Sequence, residues 1–200
     1  MYQGGQIDAL LDFADNVVVF EIKSPLLSAA AKRLGNRTEF EKHVNLKFVR
    51  NEKGEPKAVL QLAKSSRSIA EGGVSTTAKP ARIYPVLGGE EPALQTIGFN
   101  THLNAIFQRE AAPYPSIRPL TVMTISELEE SLPYFSGNTF KWAELFETRF
   151  ADNGVIGHSI HQAIFDWRHT KGVASLRNEA ILKRFEQLFQ KMKENYEFQV

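Results

Sequence analysis

Gly4 to Pro25 reads GGQIDALLDFADNVVVFEIKSP, two apolar runs that nevertheless carry Asp8, Glu21 and Lys23. Residues 6–13 and 16–23 are rich in β-branched and large apolar side chains and are separated by Ala14-Asp15, the pattern of a β-hairpin. A two-residue loop there sets Asp8 opposite Glu21 and Gln6 opposite Lys23. Because side chains alternate between faces, Gln6, Asp8, Glu21 and Lys23 share one face, and Ile7, Ala9, Leu11, Val18, Phe20 and Ile22 take the other. Leu10, Val17 and Val19 lie on the charged face as well. Both faces are therefore expected to be buried under helices.

Beyond Pro25 the periodicity becomes helical. Thr38-Glu39-Phe40-Glu41 predicts a capping box, Thr38 as N-cap and Glu41 three residues in, opening a helix to about Val49. Pro56 at a first-turn position and Val59, Leu62, Ala63, Ser66, Ile69 and Ala70 at helical spacing predict a second helix, which Gly72-Gly73 ends. ARIYPVLGG, Ala81 to Gly89, reads as a strand whose Pro85 points to an edge or a bulge. Asn100 to Glu110 carries Leu103, Ile106 and Phe107 on one helical face, and LTVMT, Leu120 to Thr124, is a short strand running straight into the helix ISELEESLPYF. From Thr139 onward every segment reads as helix. This order predicts an α/β fold, with a mixed β-sheet flanked by helices over residues 1–135 and a helical C-terminal region, 136–200, packed on that core.

Burying a carboxylate costs several kcal/mol even after relaxation, and two facing carboxylates repel. One remedy is local: Lys23, two residues from Glu21 on the same face, forms an ion pair and leaves one acid without a partner. The other is a divalent cation held by both acids, since Mg²⁺ takes oxygen ligands and keeps waters that substrate phosphates can replace. With an ammonium nearby, such a site suits phosphodiester hydrolysis, the metal activating water and stabilising the leaving oxygen while Lys23 orients the water or offsets growing charge. A structural ion-pair cluster, and a ligand site of another kind, remain open on these residues.

Asp8, twelve intervening residues, then Glu21-Ile22-Lys23 after the apolar VVVF, with helices and the later strand IYPVL, resembles the PD-(D/E)XK, or restriction-endonuclease-like, nuclease superfamily. The resemblance covers about Gly4 to Phe135. It implies a restriction-endonuclease-like core and a Mg²⁺- or Mn²⁺-dependent nuclease, an endonuclease acting on DNA, in the company of restriction and defence against foreign DNA. By it Asp8 and Glu21 are metal ligands, the Ile22 carbonyl is another, and Lys23 is catalytic together with the two acids. Two features depart from the family. Ile7 stands where the motif has proline, and the chain starts only a few residues before the hairpin, without the helix that often supplies a further glutamate. This leads to the expectation of an additional N-terminal region in a longer chain, or of a homo-oligomer. The alternative function is a non-catalytic nucleic-acid or protein interaction module on a degenerate nuclease fold.

Charge is unevenly distributed. From Ile22 to Arg82 there are 13 Lys/Arg against 5 Asp/Glu, whereas from Tyr84 to Gly157 there are 4 against 9. The basic part would attract polyanions, and within it Lys32, Arg33 and Arg37, with Gln6 on the hairpin, are candidate nucleic-acid contacts; a solvated helix end explains the three cations equally well. Asp12 shares the charged face but lies near the turn and is expected to be solvated. His158 and His161 are spaced for one helical face, yet no HExxH pattern accompanies them and surface positions fit better. The absence of cysteine excludes thiolate zinc sites and disulfides. No apolar run approaches the roughly 18 residues of a membrane span and the N-terminus lacks a leader pattern, so a cytoplasmic protein with no membrane partner is expected.

Overall fold

A computed structural model describes residues 7–24, 27–28, 32, 36–131, 142–149 and 160–171. Four strands form one open sheet in the order β1-β2-β3-β4: β1 Ala9–Phe13, β2 Asn16–Lys23, β3 Arg82–Gly89 and β4 Thr121–Thr124. β1 and β2 are antiparallel, whereas β2, β3 and β4 are mutually parallel, which makes the sheet mixed. The hairpin has the expected register, with Leu10 opposite Val19 and Leu11 opposite Val18. Its loop turns with Ala14 at φ 61°, the positive first-residue torsion of a type II′ turn, whose twist matches that of the strands. Asp12 holds this turn by accepting from the Ala14 N–H at 2.9 Å and from the Thr77 N–H at 2.5 Å. It pins the 73–80 loop while staying partly exposed near the turn, and the Thr77 bond, working against burial, draws its carboxyl below the usual range.

Helices cover both faces, as two-sided burial of β2 requires. On one side lie α1 Arg37–Phe48, α2 Ala58–Ala70 and α3 Ile97–Ala111. Their Val44, Phe48, Val59, Leu62, Ile69, Leu103 and Phe107 pack on Val17, Val19, Ile83, Leu87 and Val122. On the other side α5 Trp142–Thr148 and α6 Ile160–Lys171 bring Leu145, Phe146, Ile160, Ala163 and Ile164 onto Val18, Phe20, Tyr84, Val86 and Met123. The short α4, Ile125–Ser131, follows β4 directly. Among the described residues no helix is long and apolar enough to cross a membrane.

Three local expectations shift. The cap of α1 is Asn36, whose side chain accepts from the N–H groups of Thr38 and Glu39, so Thr38 lies inside the helix and Glu41 is free to meet Arg37 at 2.7 Å. A capping box does form at Thr124-Ile125-Ser126-Glu127: the Glu127 N–H donates to Thr124 Oγ1 and the Thr124 N–H to Glu127 Oε2 at 2.7 Å. Pro85 lies in an interior strand, paired with Val19 of β2. The Ile83 N–H donates to Ser116 on the β4 side, and the alternation of strand donors turns the Pro85 nitrogen to that same side. The β3–β4 ladder begins only at Val86–Thr121, so the missing N–H faces a gap and costs no ladder bond.

Candidate metal and phosphodiester site

Asp8, Glu21 and Lys23 meet where the hairpin ladder ends. Pairing stops at Ala9–Phe20, and the Ile22 N–H donates to Asp8 Oδ2 at 2.7 Å instead of to a main-chain carbonyl. Asp8 thus stands one residue before β1, in a bend and exposed, rather than inside the strand. It lies beside Glu21, close enough for its charge to act on the Glu21 carboxyl. Of the three charges only Glu21 is fully buried, at 3% exposure, held there because it follows Val17 and Val19 on the face that α1, α2 and α3 cover. Lys23 Nζ lies 2.5 Å from Glu21 Oε1 and its side chain is 33% exposed.

The electrostatics follow from this placement. Burial pushes the Glu21 carboxyl up; the Lys23 ammonium pulls it down, Asp8 pushes it up again, and the net direction is upward. Burial therefore works against the charged form of Glu21, and the Lys23 ammonium works for it. Asp8, Glu21 and the Ile22 carbonyl are all hard oxygen donors. A strand residue directs its N–H and C=O to the same edge, so the Ile22 carbonyl faces the edge at which Asp8 binds its N–H. This donor set fits Mg²⁺ or Mn²⁺, with water or substrate oxygen filling the remaining positions. Among the described residues no third Asp, Glu, His or Cys gathers with them into a larger ligand cluster.

The strand ends beside this site are built closely. Lys23, Gly89 and Thr124 are aligned across β2, β3 and β4 at the C-terminal edge of the parallel strands, where open α/β sheets commonly place ligands. A Cβ on Gly89 would lie 2.6 Å from the Lys23 carbonyl oxygen, so only glycine lets β3 approach there.

Glu91, which the sequence reading passed over, organises the segment that follows Lys23. Its carboxylate is 1% exposed and accepts from the Leu27 N–H at 2.6 Å, the Ala93 N–H at 3.1 Å and Lys32 Nζ at 3.0 Å. Burial acts to raise the Glu91 carboxyl, but these donors outweigh it and the net direction is downward. Lys32 is therefore engaged by a buried acid while keeping 40% exposure. Arg37 is 89% exposed at the start of α1, its guanidinium on Glu41. Gln6 and Arg33 lie outside the described residues, as does His158. His161 is 66% exposed, 3.5 Å from Glu130, which suits the surface position expected of it. The only hint of Glu91 in the sequence is the acidic pair Glu90-Glu91 after Gly88-Gly89; its partners are remote along the chain.

A second buried polar group lies past the end of β4. Glu127 is 2% exposed, Arg149 at the end of α5 is fully buried, and Arg149 Nη2 donates to Asn100 Oδ1 at 3.2 Å. Burial draws the Arg149 guanidinium down to about 10 against the pull of Glu127. Asn100 donates in turn to the Leu94 and Thr96 carbonyls, so the group ties α5 to the start of α3.

Together, fold and site define a class: an α/β protein with an open mixed sheet and, at the end of its hairpin, two neighbouring carboxylates of which the buried one is paired with a lysine. Comparison with protein-family models, with curated proteins and with solved structures finds no match.

Proposed function

We propose that this chain is a Mg²⁺-dependent nuclease, an endonuclease hydrolysing phosphodiester bonds in DNA, on a restriction-endonuclease-like core. The observation that carries the reading is the convergence of Asp8 and Lys23 on Glu21 and its neighbour Ile22, at 2.7 Å and 2.5 Å. Asp8, Glu21 and the Ile22 carbonyl would hold the metal, which supplies an activated water and charge stabilisation at the leaving oxygen. Lys23, one third exposed at the strand end, has the length to reach a scissile phosphate and offset its growing negative charge. The basic stretch from Ile22 to Arg82 favours a polyanionic substrate.

The test is cleavage of plasmid DNA by the purified chain in Mg²⁺ or Mn²⁺. Asp8→Asn and Lys23→Ala should abolish cutting while the variants keep the wild-type circular dichroism spectrum. Equal cutting by folded variants would remove these residues from the mechanism. The Lys23–Glu21 contact also favours a second reading, a non-catalytic nucleic-acid or protein interaction module in which the pair is structural. That reading predicts salt-sensitive DNA binding indifferent to metal and to Lys23→Ala.

A further inference from the structure

Lys23 engages one of the two carboxylates that the proposed metal would need. Its ammonium lies 2.5 Å from Glu21 Oε1, within direct contact of a ligand oxygen. Glu21 is buried at 3% exposure, so its charge is tolerated only with a cation beside it. Asp8 does not serve as that partner, being itself an acid, and its Oδ2 is committed to the Ile22 N–H at 2.7 Å. An ammonium and a divalent cation cannot both contact one carboxylate oxygen at full strength, because they repel each other across a few ångströms of partly desolvated space. The lysine is free to leave. One third of its side-chain surface is exposed, and no other ion pair holds it among the described residues.

We propose that Lys23 is an internal competitor for the cation seat: it neutralises Glu21 in the metal-free protein and is displaced into the open edge of the sheet when a divalent cation binds. This rests on the metal-site reading of Asp8 and Glu21 given above, and adds a regulation of that site. The same side chain protects the fold without metal and becomes available to a phosphate only after the metal has taken over Glu21. Metal affinity is thereby set lower than the carboxylates alone would give, and the lysine is released in step with loading.

The experiment is calorimetric titration of wild type, Lys23→Met and Lys23→Arg with MnCl₂, with thermal melts in EDTA and in Mn²⁺. Lys23→Met keeps the length of the side chain and removes the charge. It should bind Mn²⁺ about tenfold more tightly than wild type, between the contributions of exposed and buried ion pairs, whereas Lys23→Arg should stay near wild type. Lys23→Met should also melt lower than wild type in EDTA and gain more from Mn²⁺, so a variant that folds only with Mn²⁺ gives the same answer. Mn²⁺ binding by Lys23→Met that is equal to or weaker than wild type overturns the proposal and leaves the metal site standing. Absence of Mn²⁺ binding in all three folded proteins overturns the metal-site reading and this inference with it.

Discussion

Replacing Glu91 by alanine removes one buried carboxylate and strips three donors of their acceptor. The Leu27 N–H belongs to a residue 4% exposed, and leaving such a donor unsatisfied costs about 1–3 kcal/mol. The Ala93 N–H loses the side chain that caps the 3-10 turn Pro92–Gln95, a loss of about 0.5–2 kcal/mol. The Lys32 pair, with its lysine 40% exposed, contributes no more than about 1 kcal/mol once solvent screening is allowed for. Together these predict a destabilisation of about 3 kcal/mol, or a fall in urea midpoint of roughly 1–2 M at a slope of about 2 kcal/mol/M. Glu91→Gln keeps one acceptor oxygen and should fall between the two. Urea unfolding followed by tryptophan fluorescence measures the shift, and amide exchange at Leu27 should accelerate in parallel. A Glu91→Ala midpoint within about 0.3 M of wild type would refute the claim that this carboxylate anchors the segment after β2.

Four further expectations follow from particular contacts. Glu91 has a depressed carboxyl, so its contribution is present above the ordinary value of 4.5 and is lost as pH falls through its folded value; Glu91→Gln should flatten the acid limb of a melting-temperature profile. Glu127 is shifted the other way by burial, so its contribution is present below 4.5 and is lost as pH rises through its folded value; Glu127→Gln, which keeps the capping geometry, should remove that decline from pH titrations of stability. Gly89→Ala places a methyl group 2.6 Å from the Lys23 carbonyl and should cost about 1–3 kcal/mol in denaturant unfolding, whereas Gly88→Ala crowds the movable tip of Ile22 at 2.7 Å, with Ile125 in ordinary contact at 3.7 Å, and should cost clearly less. Ala14→Gly relieves the positive φ of 61° and should raise stability by up to about 1 kcal/mol in the same assay, part of the relief being offset by glycine's greater chain entropy.

What the sequence determined by itself was local. Two apolar runs around a two-residue loop leave one register that keeps Val17 and Val19 on one face and Val18 and Phe20 on the other, and the structure has that register. Helical spacing likewise placed Val59, Leu62, Ala63 and Ile69 on the buried side of α2, and the hairpin charges were legible as a cluster because register alone brings Asp8 to the Glu21 position. Other features depended on partners far along the chain. Whether Pro85 is tolerated inside a sheet depends on where β4 begins; whether Asn36 or Thr38 caps α1 depends on the path by which the chain arrives from β2. Glu91 became a hub only when β3 was laid beside β2, bringing Leu27 and Lys32 to a carboxylate more than fifty residues away. Arg149 is buried only because α5 closes over the end of the sheet, next to Glu127 and Asn100. Periodicity and turn chemistry act between neighbours and are written in order along the chain, whereas the burial of a charge depends on every element packed around it, and only the assembled fold fixes that.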